Sequence, residues 1–263
     1  MQPCLWSAMA RRPIAAPGKK TPAAPRKGRF PPDPARVAAI FERFEQMEPE
    51  PRTELKFRDP YTLVVAVALS AQATDVWVNK ATDVLFEVAD TPARMLALGE
   101  EGLIPYISSI GLYRSKAKNV IAAARMIVEQ HGGVVPLERE ALQALPGVGR
   151  KTASVVLNEL GIEPAIAVDT HVFRVSHRLA LANAPTPEKI EAQLKKVVPE
   201  RWLSRAHHWL ILHGRYVCVA QRPRCLNCVV ADWCPSRDFY LEAAAAAATA
   251  RAKPSPRKGS KSR

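Results

Sequence analysis

The sequence predicts an all-α protein. Apolar residues recur at helical spacing through nearly every segment between the two ends of the chain, several segments open on Thr-Pro pairs suited to helix starts, and no pair of alternating runs carries a hairpin turn between them. Val37, Ile40, Phe41, Phe44 and Met47 form the first stripe. The run Leu63 to Leu69 is the one segment that could pass for a buried strand, because its residues are apolar without a period. Thr91-Pro92 places an N-cap and a first-turn proline before Met95, Leu96 and Leu98. Val120, Ile121, Met126 and Ile127 define a further helix that Gly132-Gly133 stops. Thr186-Pro187 opens another through Ile190, Leu194 and Val197, and Trp202 through Trp209, Leu210 and Leu212 make the last.

At 263 residues and 48% apolar composition the chain can bury a sizeable core without disulfides. No apolar run approaches the ~20 residues needed to cross a bilayer, which excludes a transmembrane protein. The net charge is +13, but residues 1–31 carry seven Lys/Arg and 251–263 carry six, both without an acid, so the remaining 25 basic and 25 acidic residues cancel. The excess lies in the tails, and an argument for a polyanionic partner has to come from the core. Residues 1–31, with six Pro and no apolar periodicity, read as a disordered basic tail, and residues 241–263 as an Ala-rich and then basic one. The acid-free N-terminal stretch could also mimic an organelle transit peptide. There is no signal-peptide core near the start, and four of the five Cys cluster between 218 and 234, which together point to a reducing cytoplasm and a metal site; Cys4 stands apart.

Residues 137–160 read as helix, tight turn, helix: Leu142 and Leu145 end one amphipathic run, Pro146-Gly147-Val148-Gly149 turns, and Arg150 to Leu160 starts again. Gly147 and Gly149 remove side chains where backbone N–H groups at a helix N-terminus could approach a phosphate. A plain αα-hairpin would use the same glycines, so spacing alone leaves binding and structure evenly balanced. Gly149-Arg150-Lys151-Thr152 grazes the P-loop pattern, but position 144 is Ala and no strand precedes it, which excludes nucleotide triphosphate binding. Cys218, Cys225, Cys228 and Cys234 are spaced C-x6-C-x2-C-x5-C. Four thiolates so close fit either a [4Fe–4S] cluster or tetrahedral zinc.

LPGVGRKTA at 145–153 followed by VDTHVFR at 168–174 resembles the helix-hairpin-helix and Gly-Pro-Asp region of the endonuclease III family of DNA repair enzymes. The resemblance extends through LSAQATD at 69–75, GLYRSKA at 111–117 and HHWLILHGR at 207–215, covering nearly all of 34–240. It implies a DNA glycosylase and abasic-site lyase that removes oxidised pyrimidines from double-stranded DNA, with catalytic Lys151 and Asp169 in a cleft between two helical domains. It implies a [4Fe–4S] cluster on the four Cys, and Gln72 and Leu112 filling the gap left by an extruded base, as an amide and an apolar wedge suit. Tyr113, Ser115 and Lys116 of the same loop would then be placed to touch DNA. The expected domains are 53–163, a bundle ending in the hairpin, and 32–52 with 164–240 around the cluster.

The residues themselves suit these roles. Lys151 would lie in the first turn of its helix, where the macrodipole and partial burial both disfavour an ammonium. Asp169 is a natural N-cap, and a carboxylate held by backbone donors stays ionised beside developing positive charge. His171 reads as a packed or hydrogen-bonded residue. Arg222 and Arg224 lie between the first two Cys, where a metal would aim them at phosphates. A monofunctional glycosylase, with water in place of Lys151, and a non-catalytic iron–sulfur DNA-binding protein are the rival readings; a binding protein has no need of a Lys poised beside a carboxylate.

Overall fold

The chain is described by a computed structural model covering Trp6 and residues 29–252, with side chains through 246. Among the described residues the regular structure is helical throughout, with no strand. The chain divides into two compact units, one built from 51–167 and 201–207, the other from the N-terminal 50 residues, 168–200 and 208–263. Residues 201–207, expected with the cysteines, belong to the first of these.

In the first unit run α2 (Pro60–Ser70), α3 (Asp75–Val88), α4 (Pro92–Ile107), α5 (Tyr113–His131), α6 (Arg139–Ala144) and α7 (Arg150–Glu159); α1 (Pro34–Met47) precedes them in the chain and belongs to the other unit. The run Leu63 to Leu69 is helix, not strand. Asp59 caps it, accepting from the Thr62 backbone while the Thr62 hydroxyl returns to the cap, and Pro60 sits at the first helical position. The alternation signal was missing because Tyr61, Leu63, Val64, Val65, Ala66, Val67 and Leu69 are all buried, so α2 is apolar on every side and forms the axis of the core. Each such side chain contributes about 1.5–3 kcal/mol by leaving water. In α4 the backbone breaks at Gly99 (φ 68°), so Pro92 to Leu98 and the turns after it are two helical pieces.

Tyr61 in that core is 6% exposed, and its hydroxyl meets no hydrogen-bond partner among the described residues. Burial, with Asp59 adding to it, pushes the phenol well above the usual tyrosine range. A raised folded-state value means the contribution is complete below about pH 10 and is lost as pH climbs above it, by about 1.4 kcal/mol per unit. Tyr61→Phe should therefore leave stability at pH 7 unchanged or slightly higher and flatten its alkaline decline. Urea unfolding at pH 8 and above pH 10 measures both.

The second unit holds α1, α8 (Thr170–Arg178), α9 (Pro187–Val197), the cysteine segment with its short 3-10 turns Cys225–Asn227 and Ala231–Trp233, and α11 (Arg237–Ala252). The helix α10 (Leu203–Tyr216) begins in the first unit and continues in this one from His208. Its core is aromatic: Phe41 and Phe44 of α1 lie 6.1 and 6.4 Å from the Trp209 ring, whose indole donates to the Glu48 carbonyl at 2.8 Å. The expectation of a disordered stretch over 1–31 fails at Trp6, which is fully buried with its ring 5.7 Å from Phe44 and 5.3 Å from His213. An isolated indole has no periodicity to betray it, yet an aromatic pocket offers it more than water does. At the other end α11 continues to Ala252, so residues 241–252 are helical and not an unstructured tail; alanine needs no packing partner to hold a helix. Cys4 and residues 253–263 lie outside the described residues.

Candidate DNA-repair site and iron–sulfur centre

The hairpin is formed by α6 and α7, with Leu145 and Val148 buried and the Val148 N–H donating to the Leu145 carbonyl. Gly147 has φ 79°, and a Cβ there would come within 2.9 Å of the Asn119 Cβ, so both the backbone and the neighbour require glycine. Gly149 is the N-cap of α7, and the position its Cβ would take has nothing within 4 Å. A helix N-terminus flanked by such space has the form an anion seat needs. Lys151 is the second residue of α7 and is exposed. The partial burial expected of it is absent in the protein itself, where the buried residues of α7 begin only at Ala153.

Asp169 stands in the other unit as the N-cap of α8, its carboxylate accepting from the Val172 N–H at 2.7 Å. His171 is hydrogen-bonded as expected, its Nδ1 lying 3.1 Å from the Arg174 guanidinium. A Cβ on Gly214 would fall 2.8 Å from the His171 Cβ, so α10 approaches α8 as closely as a glycine allows.

Gln72 and Leu112 are both exposed, Leu112 at 61%, which removes the possibility that this leucine is a core residue. Both adopt left-handed backbone, φ 55° and 61°, a conformation that costs an ordinary side chain roughly 1–2 kcal/mol. Their loops touch: a Cβ on Gly111 would lie 3.7 Å from the Gln72 carbonyl oxygen. The two strained residues are thus exposed neighbours. In the first turn of α5, Ser115 is exposed and Tyr113 half-buried, whereas Lys116, expected to face DNA, is buried.

Cys218, Cys225, Cys228 and Cys234 are free thiols, each half-buried, and line one pocket together with Arg178, His213 and Arg224. Burial first, and the neighbouring cysteines second, push Cys225 up to about 11; burial likewise takes Cys228 to about 12 and raises Cys234. A metal group bound in the pocket would replace the thiol protons and hold the sulfurs as thiolates. The donor set fits an iron–sulfur cluster: it is all sulfur, half-buried and gathered on one pocket. His213 lies with Nε2 3.7 Å from the Cys228 sulfur, and burial pushes its imidazole down to about 3.

Three guanidiniums hold the backbone around this pocket. Arg36 donates to the carbonyls of Leu179, Ala180 and Trp233, Arg174 to those of Gly214 and Cys218, and Arg178 to those of Val219 and Ala220 at 2.7 and 2.8 Å. Arg178 also lies 3.5 Å from the Cys218 sulfur and 4.4 Å above the Tyr240 ring. None of the three was singled out from sequence. The one available signal was the spacing of Arg174 and Arg178, four apart on one face of α8. Between the first two cysteines Arg222 is exposed with φ 55°, while Arg224 is half-buried and lines the pocket.

A helical hairpin with an open glycine-flanked N-terminus, a lysine in its first turn, a capping aspartate and a cysteine-lined pocket define a helix-hairpin-helix DNA glycosylase. Residues 65–200 match the HhH-GPD superfamily of base excision DNA repair proteins, and residues 218–234 the iron-sulfur binding domain of endonuclease III. The chain is 54% identical to Endonuclease III of Escherichia coli K12 over 204 residues, 78% of this chain and 97% of that protein. It is 53% identical to Endonuclease III of Rickettsia conorii over 205 residues, 78% and 96% of the two chains. A trapped endonuclease III–DNA covalent intermediate superimposes with a TM-score of 0.75 at 41% identity, covering 80% of this chain and 99% of that one. A non-covalent endonuclease III–DNA complex matches with the same TM-score.

This chain belongs to the endonuclease III family. It is a bifunctional base-excision DNA glycosylase and abasic-site lyase that binds DNA and carries a [4Fe–4S] cluster. No described helix is long and apolar enough to cross a membrane.

Proposed function

We propose that the chain acts as a monomer on double-stranded genomic DNA in the cytoplasm, excising oxidised pyrimidines with Lys151 as nucleophile and Asp169 as its carboxylate partner. The observation that carries this reading is the exposed Lys151 amine in the first turn of α7, beside a glycine N-cap facing open space. Phosphate seated on that helix N-terminus would set the register of the strand, and the DNA itself would supply the desolvation that the protein leaves undone at Lys151.

The neutral amine attacks C1′ of the flipped nucleotide, the glycosidic bond breaks, and the base leaves with a proton. The C1′–N bond then becomes an imine as the C1′–O4′ bond breaks and O4′ takes up a proton, opening the sugar ring; the imine acidifies C2′, and loss of a C2′ proton expels the 3′ phosphate as the C3′–O bond breaks. Water finally hydrolyses the imine and returns the amine. Asp169, fixed by the Val172 N–H, stabilises positive charge developing at the sugar. Gln72 and Leu112 fill the space the base leaves, and Gly147, Gly149 and Arg222 meet the backbone. The cluster, when bound, cross-links the cysteine segment and fixes the presentation of Arg222.

Duplexes carrying thymine glycol, 8-oxoguanine or an unmodified thymine, otherwise identical, test the substrate class. Base release and strand nicking should be at least about tenfold faster, per kcat/KM, for thymine glycol than for the purine lesion. Equal rates on the two lesions would end the pyrimidine assignment.

A further inference from the structure

We infer that Lys116, a residue with no access to DNA, positions both base-gap residues at once, by tying the end of the Gln72 helix to the start of the Leu112 helix. The inference rests on the reading of Gln72 and Leu112 as the residues that enter the DNA stack, and goes beyond it to what holds them there.

Lys116 is 7% exposed and lies in the first turn of α5. Its ammonium donates to the Leu69 carbonyl at 2.9 Å, and its backbone N–H donates to the Leu112 carbonyl at 3.0 Å. Leu69 is in the last turn of α2, whose carbonyls lack partners within the helix and form the negative end of its dipole. That end is usually closed by a glycine, which adopts left-handed backbone without strain. Here the left-handed position two residues past the helix is Gln72, and the helix after the second loop starts from left-handed Leu112. Neither residue favours that conformation, so each has to be imposed from outside.

One residue meets both needs, by its side chain and by its backbone. A cation satisfies the carbonyl end of α2, and the backbone of the same residue fixes the carbonyl of Leu112, so neither loop can shift without breaking a bond to Lys116. Burial draws the ammonium below the usual lysine range, a cost that a merely solvated lysine does not carry. The close approach of Gly111 to the Gln72 carbonyl completes the link between the loops. The pair would then enter the duplex as one rigid feature, with the gap-filling geometry set before DNA arrives.

The test compares two substrates for the cluster-loaded protein. Thymine glycol in a duplex with a neighbouring 2-aminopurine reports extrusion by fluorescence and excision by base release; a single-stranded abasic oligonucleotide needs nicking alone, with no stack to open. Lys116→Met, which keeps the stem and removes the donors, should lower duplex excision about tenfold or more and abolish the fluorescence rise, while single-strand nicking stays within about threefold. Lys116→Arg should recover part of the duplex loss. If Lys116→Met is insoluble, Lys116→Gln, with an uncharged amide on a shorter stem, must show the same duplex-specific loss. Equal losses on both substrates, or no loss on the duplex, overturn the inference. Leu112→Ala and Gln72→Ala separate the two layers: if they lose the fluorescence rise while the Lys116 variants keep it, the positioning role alone fails. If they too keep it, the reading of the two loops fails first.

Discussion

Lys151→Ala should remove strand nicking and base release together, by at least about a thousandfold in kcat on a thymine glycol duplex, as removal of a covalent nucleophile does when no second group can replace it. The coupling of the two losses is the informative part. A water-mediated enzyme with an auxiliary lysine would keep base release and lose only the nick. DNA affinity should fall far less, because the phosphate seat of α7 is backbone, made by the turn from Gly147 to Lys151 and not by the amine. Asp169→Asn provides the control within the same experiment. Asn caps a helix nearly as well as Asp, so α8 should keep its stability while kcat drops, separating the charge of Asp169 from its bond to Val172.

Loss of the cluster should be the second large effect. Between Cys218 and Cys234 the structure offers two 3-10 turns without a buried residue, and Val230 is the apolar side chain it fully buries there. Such a segment has too little core to fold on apolar burial, and a metal group can contribute on the order of 10 kcal/mol to a comparable loop. The guanidiniums of Arg36, Arg174 and Arg178 keep part of the surrounding backbone in place without it. Cys228→Ser should thus lower the Tm by about 10 °C and not leave the whole chain unfolded. Nonspecific DNA affinity should weaken and its salt dependence flatten, since Arg222 loses its fixed position. Thermal unfolding followed by circular dichroism, alongside visible absorbance of the cluster, measures the first; binding to undamaged duplex at several salt concentrations measures the second. An unchanged Tm in a protein that has lost its visible absorbance would contradict the structural role.

The helices, the hairpin and the four cysteines were legible because each is written locally, in apolar periodicity, glycine placement or close spacing. The cap at Asp169 was legible for the same reason, with its side chain three residues before the N–H it satisfies. What escaped depends on contacts between distant residues. Lys116 looks like any surface lysine in GLYRSKA until α2 brings the Leu69 carbonyl to its amine, 47 positions away. Arg36 serves carbonyls more than 140 positions along the chain. Trp6 lies in a stretch whose composition argues for disorder, and its pocket is assembled by α1 and α10. The helical nature of Leu63 to Leu69 was written locally after all, in Asp59-Pro60 and Thr62, but a run buried on every side hides the period that would have drawn attention to its cap.

Borohydride reduction during turnover tests the central chemical claim most directly. An abasic or thymine glycol duplex is mixed with the cluster-loaded protein and sodium borohydride, the covalent complex is isolated and digested, and the modified peptide is sequenced by mass spectrometry. A sugar adduct on the Lys151 Nζ, absent from Lys151→Ala, is the predicted result. An adduct on a different amine, or none from a protein that releases the base and nicks the strand, would contradict it.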